Sequence, residues 1–329
     1  MRIALLMNAD IRSNVISKRT MTKLEALGEI RLNESSGTDL AAIKAVIQDA
    51  DIAVTSWGNT SLTKEILDCA PDLKLVAHAA GSVKPIVSDE LFARNIPLIS
   101  SAVVLSRSVS ETALGLTISA AKNFYNLNTL IHQGGWQHDR KQIRELFEIT
   151  VGVVGCGYAG SHYIDLLKNF DVDILAYDPF LDAEKIKSLG AEKAELDQIL
   201  RESDIVSLHA PSIPSTNHII NADTLALMKE DAILINTARG SLIDETALYN
   251  HMKAGKLRYA CLDVTDPEPP AEDNPLRTLP NCIMTPHLAG LANNGQGRIG
   301  VHVYEEIRRL LNHEPLISQV TKEKLATIA

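Results

Sequence analysis

The sequence predicts an α/β protein of two domains, each built on a parallel sheet. Three observations lead there. The chain has 329 residues, where a typical single domain has ~150. Short Ile/Val/Leu-rich runs alternate with stretches of helical spacing, and strands that alternate with helices pair in parallel. The alternation comes in two series, parted at 133–140 by the glycine-rich, charged segment Gln-Gly-Gly-Trp-Gln-His-Asp-Arg.

In the first series the strand candidates are 3–7, 30–32, 51–54, 73–77 and 97–99. Between them Leu40, Ile43, Ala45, Val46 and Ile47 follow Thr38-Asp39 at helical spacing, and Ile66-Leu67 follow a cap position at Thr63. A longer helical pattern from Ser108 to about Asn128 runs through Val109, Ala113, Leu114, Leu116, Thr117 and Ala120, long enough to bridge two domains. The second series opens at Thr150, with strands at 151–154, 172–177, 205–208, 232–236, 259–262 and 282–284. Six strands complete a doubly wound sheet. After Pro286 a glycine-containing loop leads into an amphipathic helix with Ile299, Val303, Ile307, Leu310 and Leu311 near one face. No strand follows it, so the chain is expected to return to the first domain. That makes 1–105 plus 296–329 one domain and 106–295 the other. The tail 314–329 is too short for a further regulatory domain of ~80 residues.

Apolar residues make up 45% of the chain and charged residues 22%, a globular composition that excludes disorder and fibrous structure. With 32 Lys and Arg against 41 Asp and Glu, the net charge of −9 would repel nucleic acid and anionic membranes. A small-molecule partner is expected. Cys69, Cys156, Cys261 and Cys282 lie far apart with no C-x-x-C pair, which points to neither zinc nor disulfides and suits a reducing cytoplasm. The apolar run at 1–7 gives way at once to Asn8, Asp10 and Arg12, too soon for a signal-peptide core. No stretch approaches the ~20 apolar residues of a membrane-spanning helix.

Strand 151–154 leads directly into Gly155-Cys-Gly157-Tyr-Ala-Gly160 and then a helical run. In this strand–turn–helix context Gly155 permits the tight turn, Gly157 lets the backbone approach a pyrophosphate, and Gly160 lets helix and strand pack closely. The helix N-terminus then presents free N–H groups to the phosphates. Asp178, 18 residues beyond Gly160, ends the next strand, where a carboxylate can accept from the adenosine ribose hydroxyls. Because 176–183 holds no Lys or Arg, a 2′-phosphate would meet Asp178 without a compensating cation, which favours NAD over NADP.

Arg239 follows strand 232–236, Asp263 ends strand 259–262 with Glu268 five residues later, and His287 follows strand 282–284. The carboxyl ends of parallel strands are where open sheets bind ligands. Taken singly, a lone His is more often structural and an Arg at a strand end more often solvated. Together, beside a nicotinamide site, they read as an anion holder, an orienter and an acid/base.

On these residues the chain resembles the D-isomer-specific 2-hydroxyacid dehydrogenases over nearly its whole length. The specific stretches are 155–160 with Asp178, Val206-Ser-Leu-His-Ala-Pro211, Ile235-Asn-Thr-Ala-Arg-Gly-Ser-Leu-Ile-Asp244, Leu262-Asp263 with Glu268, and Thr285-Pro-His-Leu-Ala-Gly290. The resemblance implies a Rossmann dinucleotide-binding domain and a flavodoxin-like substrate domain, with the active site in the cleft between them. It implies that Arg239 holds the substrate carboxylate and keto oxygen, that His287 is the general acid/base, and that Glu268 hydrogen-bonds His287. Contacts to NAD are implied for Gly155, Gly157, Tyr158, Ala159, Gly160, Asp178, His209, Ala210, Pro211, Thr237, Ala238, Arg239, His287 and Gly290, with Asp263 at the carboxamide. NADH would deliver hydride to C2 of a 2-keto acid while His287 protonates the developing alkoxide. Homodimers through the cofactor domain are usual in the family, and Gly134-Gly135-Trp136 resembles the arm that reaches across; Trp136 also reads as a core anchor.

The chain departs from the family in one loop. Where relatives carry a Gly-Val-Gly-Val-Asp-Asn type of sequence, it reads Ala80-Gly-Ser-Val-Lys-Pro85. Gly81, Ser82 and Val83 still permit backbone donation to a substrate carboxylate. Lys84 reads as a solvated lysine in preference to the partner of a second anionic group, and Trp57 equally as a pocket wall or a packing residue. The segment 56–62 has no Arg, which weakens a phosphoglycerate reading. The alternative function is a dinucleotide-dependent, protein-binding regulator of the same superfamily, against which the intact Arg239, Glu268 and His287 argue.

Overall fold

The computed structural model describes residues 1–328 and divides into two compact units, Met1–Leu105 with Leu291–Ala329, and Ser106–Gly290. The first unit holds strands β1 (Arg2–Leu5), β2 (Glu29–Leu32), β3 (Ile52–Thr55), β4 (Leu75–His78) and β5 (Leu98–Ser100). All pair in parallel in the order β2-β1-β3-β4-β5, the flavodoxin-like arrangement. Alternate residues of the buried strands feed two cores. Ile3, Leu5, Ile52, Val54 and Leu75 meet the helices Ala9–Val15, Lys18–Glu25 and Asn293–Leu311 on one face. Ala4, Ala53, Val76 and Leu98 meet Leu40–Ile47, Lys64–Leu67 and Asp89–Ala93 on the other. Side chains start several of these helices where the apolar spacing begins: Ser17 accepts from the Thr20 N–H, Asp39 from Ala41 and Ala42, and Ser88 from Leu91.

The helix Asn293–Leu311 buries Ile299, Val303 and Ile307 against the first two helices of that unit. Leu311, expected on the same face, is exposed, because it falls at the end of the last turn. The chain beyond it does form one more pairing. Ser318 and Val320 exchange backbone hydrogen bonds with Ser100 and Leu98, with an antiparallel bridge between Ile99 and Gln319, and so cover the open edge of β5.

The second unit carries β6 (Phe147–Val154), β7 (Asp171–Tyr177), β8 (Glu192–Lys193), β9 (Ile205–Leu208), β10 (Ile233–Asn236), β11 (Tyr259–Leu262) and β12 (Cys282–Met284). Their order, β12-β11-β10-β9-β6-β7-β8, is the doubly wound Rossmann arrangement with one strand more than the sequence predicts. That strand, β8, is a two-residue edge against Leu175 and Ala176, too short and polar to show an apolar run. The helix expected over 108–128 is two helices, Ala102–Ala121 and Phe124–His132. Asn123 breaks it with φ +58°, a left-handed conformation that Asn tolerates, and its side chain accepts from the Tyr259 hydroxyl at 2.7 Å. Trp136 is 78% exposed and therefore no core anchor, whereas Trp57 packs partly buried in the first unit. Among the described residues no helix is long and apolar enough to cross a membrane.

Candidate active site

In the second unit the order in which the parallel strands are laid down reverses between β6 and β9, and the turns after both strands meet there. Gly155 has φ +95°, and a Cβ on it would lie 2.6 Å from the Ala210 nitrogen, so only glycine allows the two turns to pass. A Cβ on Gly160 would lie 1.9 Å from the Gly155 carbonyl oxygen, which makes its absence a condition of helix–strand contact. At Gly157, which caps the helix Tyr158–Leu167 with no side-chain acceptor, a Cβ would meet nothing within 4 Å. The helix N–H groups therefore face open space, as a bound pyrophosphate requires. Tyr158 and Ala159 form the first helical turn, with Tyr158 exposed.

Asp178, just past β7, accepts from the Cys156 N–H and the Phe180 N–H, both at 2.9 Å, and fixes the glycine turn to the neighbouring strand end. The His209 N–H donates to Val154, and the Pro211 carbonyl accepts from the Thr216 hydroxyl. Burial pushes the His209 imidazole down to about 3, so it is neutral, with Nε2 2.9 Å from the Ser207 hydroxyl. The buried Thr237 hydroxyl has no protein partner. An unpartnered buried hydroxyl and an open cradle of N–H groups fit a dinucleotide.

Arg239 sits beyond β10 in a turn clamped by the fully buried Asn236, which accepts from the Ala238 N–H and donates to the Arg239 carbonyl. The Arg239 guanidinium gives one bond to the Ala238 carbonyl at 2.6 Å. Burial lowers its affinity for protons, and the Glu268 carboxylate opposes that effect. Gly240 lets this turn lie on the Thr265 backbone, since a Cβ there would fall 2.0 Å from the Thr265 carbonyl. Thr265 in turn donates its N–H to Glu268 Oε1 at 3.2 Å. The other oxygen, Oε2, lies 2.7 Å from His287 Nδ1.

His287 has φ +51°, a strained conformation for a residue with a side chain. Asp263 holds it there. The His287 N–H donates to the Asp263 carbonyl at 2.8 Å, while the Asp263 carboxylate accepts from the Thr285 hydroxyl, the Leu288 N–H and the Ala289 N–H. Asp263, 1% exposed, directs its carboxylate to the turn that carries His287. Ala289, beside Gly290, is tied by its carbonyl to the Ser108 hydroxyl at 2.7 Å. Thus the second unit brings together Arg239, Glu268 and His287 at the ends of the adjacent strands β10, β11 and β12, beside the glycine turn's sheet. Gly81, Ser82 and Val83 lie beyond β4 in the first unit, with Val83 buried and Lys84 exposed. Sequence reasoning missed Asn236 and Thr265 as shaping residues, although Asn at a strand end before a turn was the available signal for Asn236.

Residues 114–289 match the model of the D-isomer specific 2-hydroxyacid dehydrogenase, NAD binding domain. The chain is 36% identical over 292 residues to the D-3-phosphoglycerate dehydrogenase of Methanocaldococcus jannaschii, covering 88% of this chain and 55% of that one. It therefore spans about half the length of that relative. It is 33% identical over 264 residues to the hydroxypyruvate reductase of Thermotoga maritima, covering 80% of this chain and 85% of that one. The crystal structure of a D-lactate dehydrogenase with NAD+ from Lactobacillus jensenii shares the fold, with TM-score 0.83 at 23% identity over 98% of this chain and 100% of that one. With the dinucleotide turn and the Arg239, Glu268 and His287 cluster on one sheet, these matches show that the chain belongs to the D-isomer specific 2-hydroxyacid dehydrogenase family.

Proposed function

We propose that the protein interconverts a 2-keto acid and a D-2-hydroxy acid with NAD(H). The observation that carries this reading is the 2.7 Å contact of His287 Nδ1 with Glu268, one strand end away from the Arg239 turn. Gly155 to Gly160, Asp178, His209 to Pro211, Thr237 and Ala238 would hold the dinucleotide, which when bound supplies hydride to, or accepts it from, C2. Asp178 favours the free ribose hydroxyls of NAD, and the segment 176–183 after it holds no Lys or Arg to meet a 2′-phosphate.

Glu268 occupies Nδ1 of His287, which leaves Nε2 to give its proton to the C2 oxygen in reduction and to take it back in oxidation. Arg239 spends one donor on its own backbone and keeps the rest of its planar fork for the substrate carboxylate and keto oxygen. The 81–83 loop adds backbone N–H groups to the carboxylate. Four free cysteines suit a reducing cytoplasm. A homodimer through the second unit is supported by the helix Phe124–His132, which buries none of its residues, and by exposed Phe124, Ile131, Trp136 and Phe147. The test is NADH consumption with glyoxylate, hydroxypyruvate, phosphohydroxypyruvate, pyruvate, oxaloacetate and branched 2-keto acids. Turnover with at least one supports the reading, and tight NADH binding without turnover on any of them opposes it.

A further inference from the structure

Five successive carbonyls at the end of β4 are tied to the first unit's own scaffold. The His78 carbonyl accepts from the Ser101 N–H and hydroxyl, and the Ala79 carbonyl from the Ser56 hydroxyl at 2.7 Å. The Ala80 carbonyl accepts from the Ser101 N–H at 3.0 Å, and the Gly81 carbonyl from the Ser100 hydroxyl at 2.5 Å. The Ser82 carbonyl accepts from the imidazole of His78.

A trans peptide is planar, so its N–H points opposite to its C=O. Carbonyls 80, 81 and 82 belong to the same peptides as the N–H groups of Gly81, Ser82 and Val83. Anchoring the three oxygens on the scaffold turns these three N–H groups to the other side, where successive amides form a concavity for an anion.

His78 holds the last of those peptides. Its side chain is 2% exposed, and Nδ1 lies 2.9 Å from the Thr55 hydroxyl. Burial pushes the imidazole down to about 4, so the ring is neutral at ordinary pH. A neutral ring can serve both partners only if Thr55 donates to Nδ1 and the Nε2 proton goes to Ser82. The strut therefore brings direction without charge. No step of the catalytic chemistry above uses it.

We infer that His78 and Ser100 are positioning residues that aim the Gly81, Ser82 and Val83 amides at the carboxylate of the 2-keto acid. This rests on the reading that the loop binds that carboxylate. The residue types permit it: Ser100 ends β5, the strand paired with β4, and Ser101 follows it, which places their hydroxyls beside the carbonyls of the turn.

The test uses the full chain with NADH and the unreactive keto-acid analogue oxamate, read by amide NMR and by titration calorimetry. In the native protein the Gly81, Ser82 and Val83 amide signals are expected to shift with oxamate. His78→Leu, which keeps bulk and loses the donor, should weaken oxamate binding about tenfold. It should raise KM for the keto acid similarly while NADH binding stays within about twofold. His78→Gln, which restores a donor, should recover most of the loss. Should His78→Leu not fold, Ser100→Ala removes the neighbouring anchor and is expected to act in the same direction. Responding amides with unchanged oxamate affinity in the folded variant would overturn the positioning role and leave the loop reading standing. Native amides that ignore oxamate, bound elsewhere or not at all, would overturn the loop reading and the proposal with it.

Discussion

Asp263 holds His287 from both ends of its own residue, its carbonyl taking the His287 N–H and its buried carboxylate taking the Thr285, Leu288 and Ala289 donors on either side. The left-handed backbone of His287 persists because these bonds over-determine it. Asp263→Asn turns one acceptor into a donor that faces other donors. The variant is expected to lose about 1–3 kcal/mol of stability. It should also lose kcat with little change in NADH affinity, measured by thermal unfolding and steady-state kinetics.

Glu268→Gln keeps the shape of the partner and removes its charge. The carboxylate 2.7 Å from Nδ1 orients the ring and leaves Nε2 for the reacting oxygen. The variant should therefore lose about tenfold or more in kcat while NADH affinity stays within about twofold. A kcat equal to the native one would contradict the pairing.

Arg239→Lys keeps a cation and loses the planar fork. A point charge cannot hold a carboxylate and a keto oxygen together in one plane, so kcat/KM should fall about 100-fold or more. Near-native turnover would remove Arg239 from the mechanism.

Gly160→Ala places a methyl 1.9 Å from the Gly155 carbonyl oxygen, where backbone stands on both sides. The expected cost is about 2–3 kcal/mol, together with weakened NADH binding. Fluorescence titration with NADH and a thermal melt read both effects.

Trp136→Ser removes an exposed apolar side chain from a segment next to a helix that buries nothing. If the second unit forms the homodimer, sedimentation should show a larger monomer fraction in the variant at equal concentration. An unchanged native dimer would move the interface elsewhere.

The strands are readable because β3, β4, β9, β10 and β11 are buried along their whole length and so appear as short runs made up mostly of apolar residues. β8 escaped notice because two polar-leaning residues at an edge carry no such run. The break at Asn123 was hidden because nothing in the apolar spacing changes there; the backbone turns for a hydrogen bond to Tyr259, 136 residues away. In the candidate site the glycine spacing and the strand-end Arg, Glu and His stood out by residue type. The roles of Asn236, Asp263 and His78 did not, since each is defined by partners that only folding brings near.

In the proposed reaction His287 moves the proton in hydride exchange with a 2-keto acid. The direct measurement is NADH consumption by the native protein and by His287→Ala on the best keto acid of the panel, with NADH affinity measured in both. Turnover is expected to collapse in the variant while NADH still binds. Equal turnover in both proteins would contradict it.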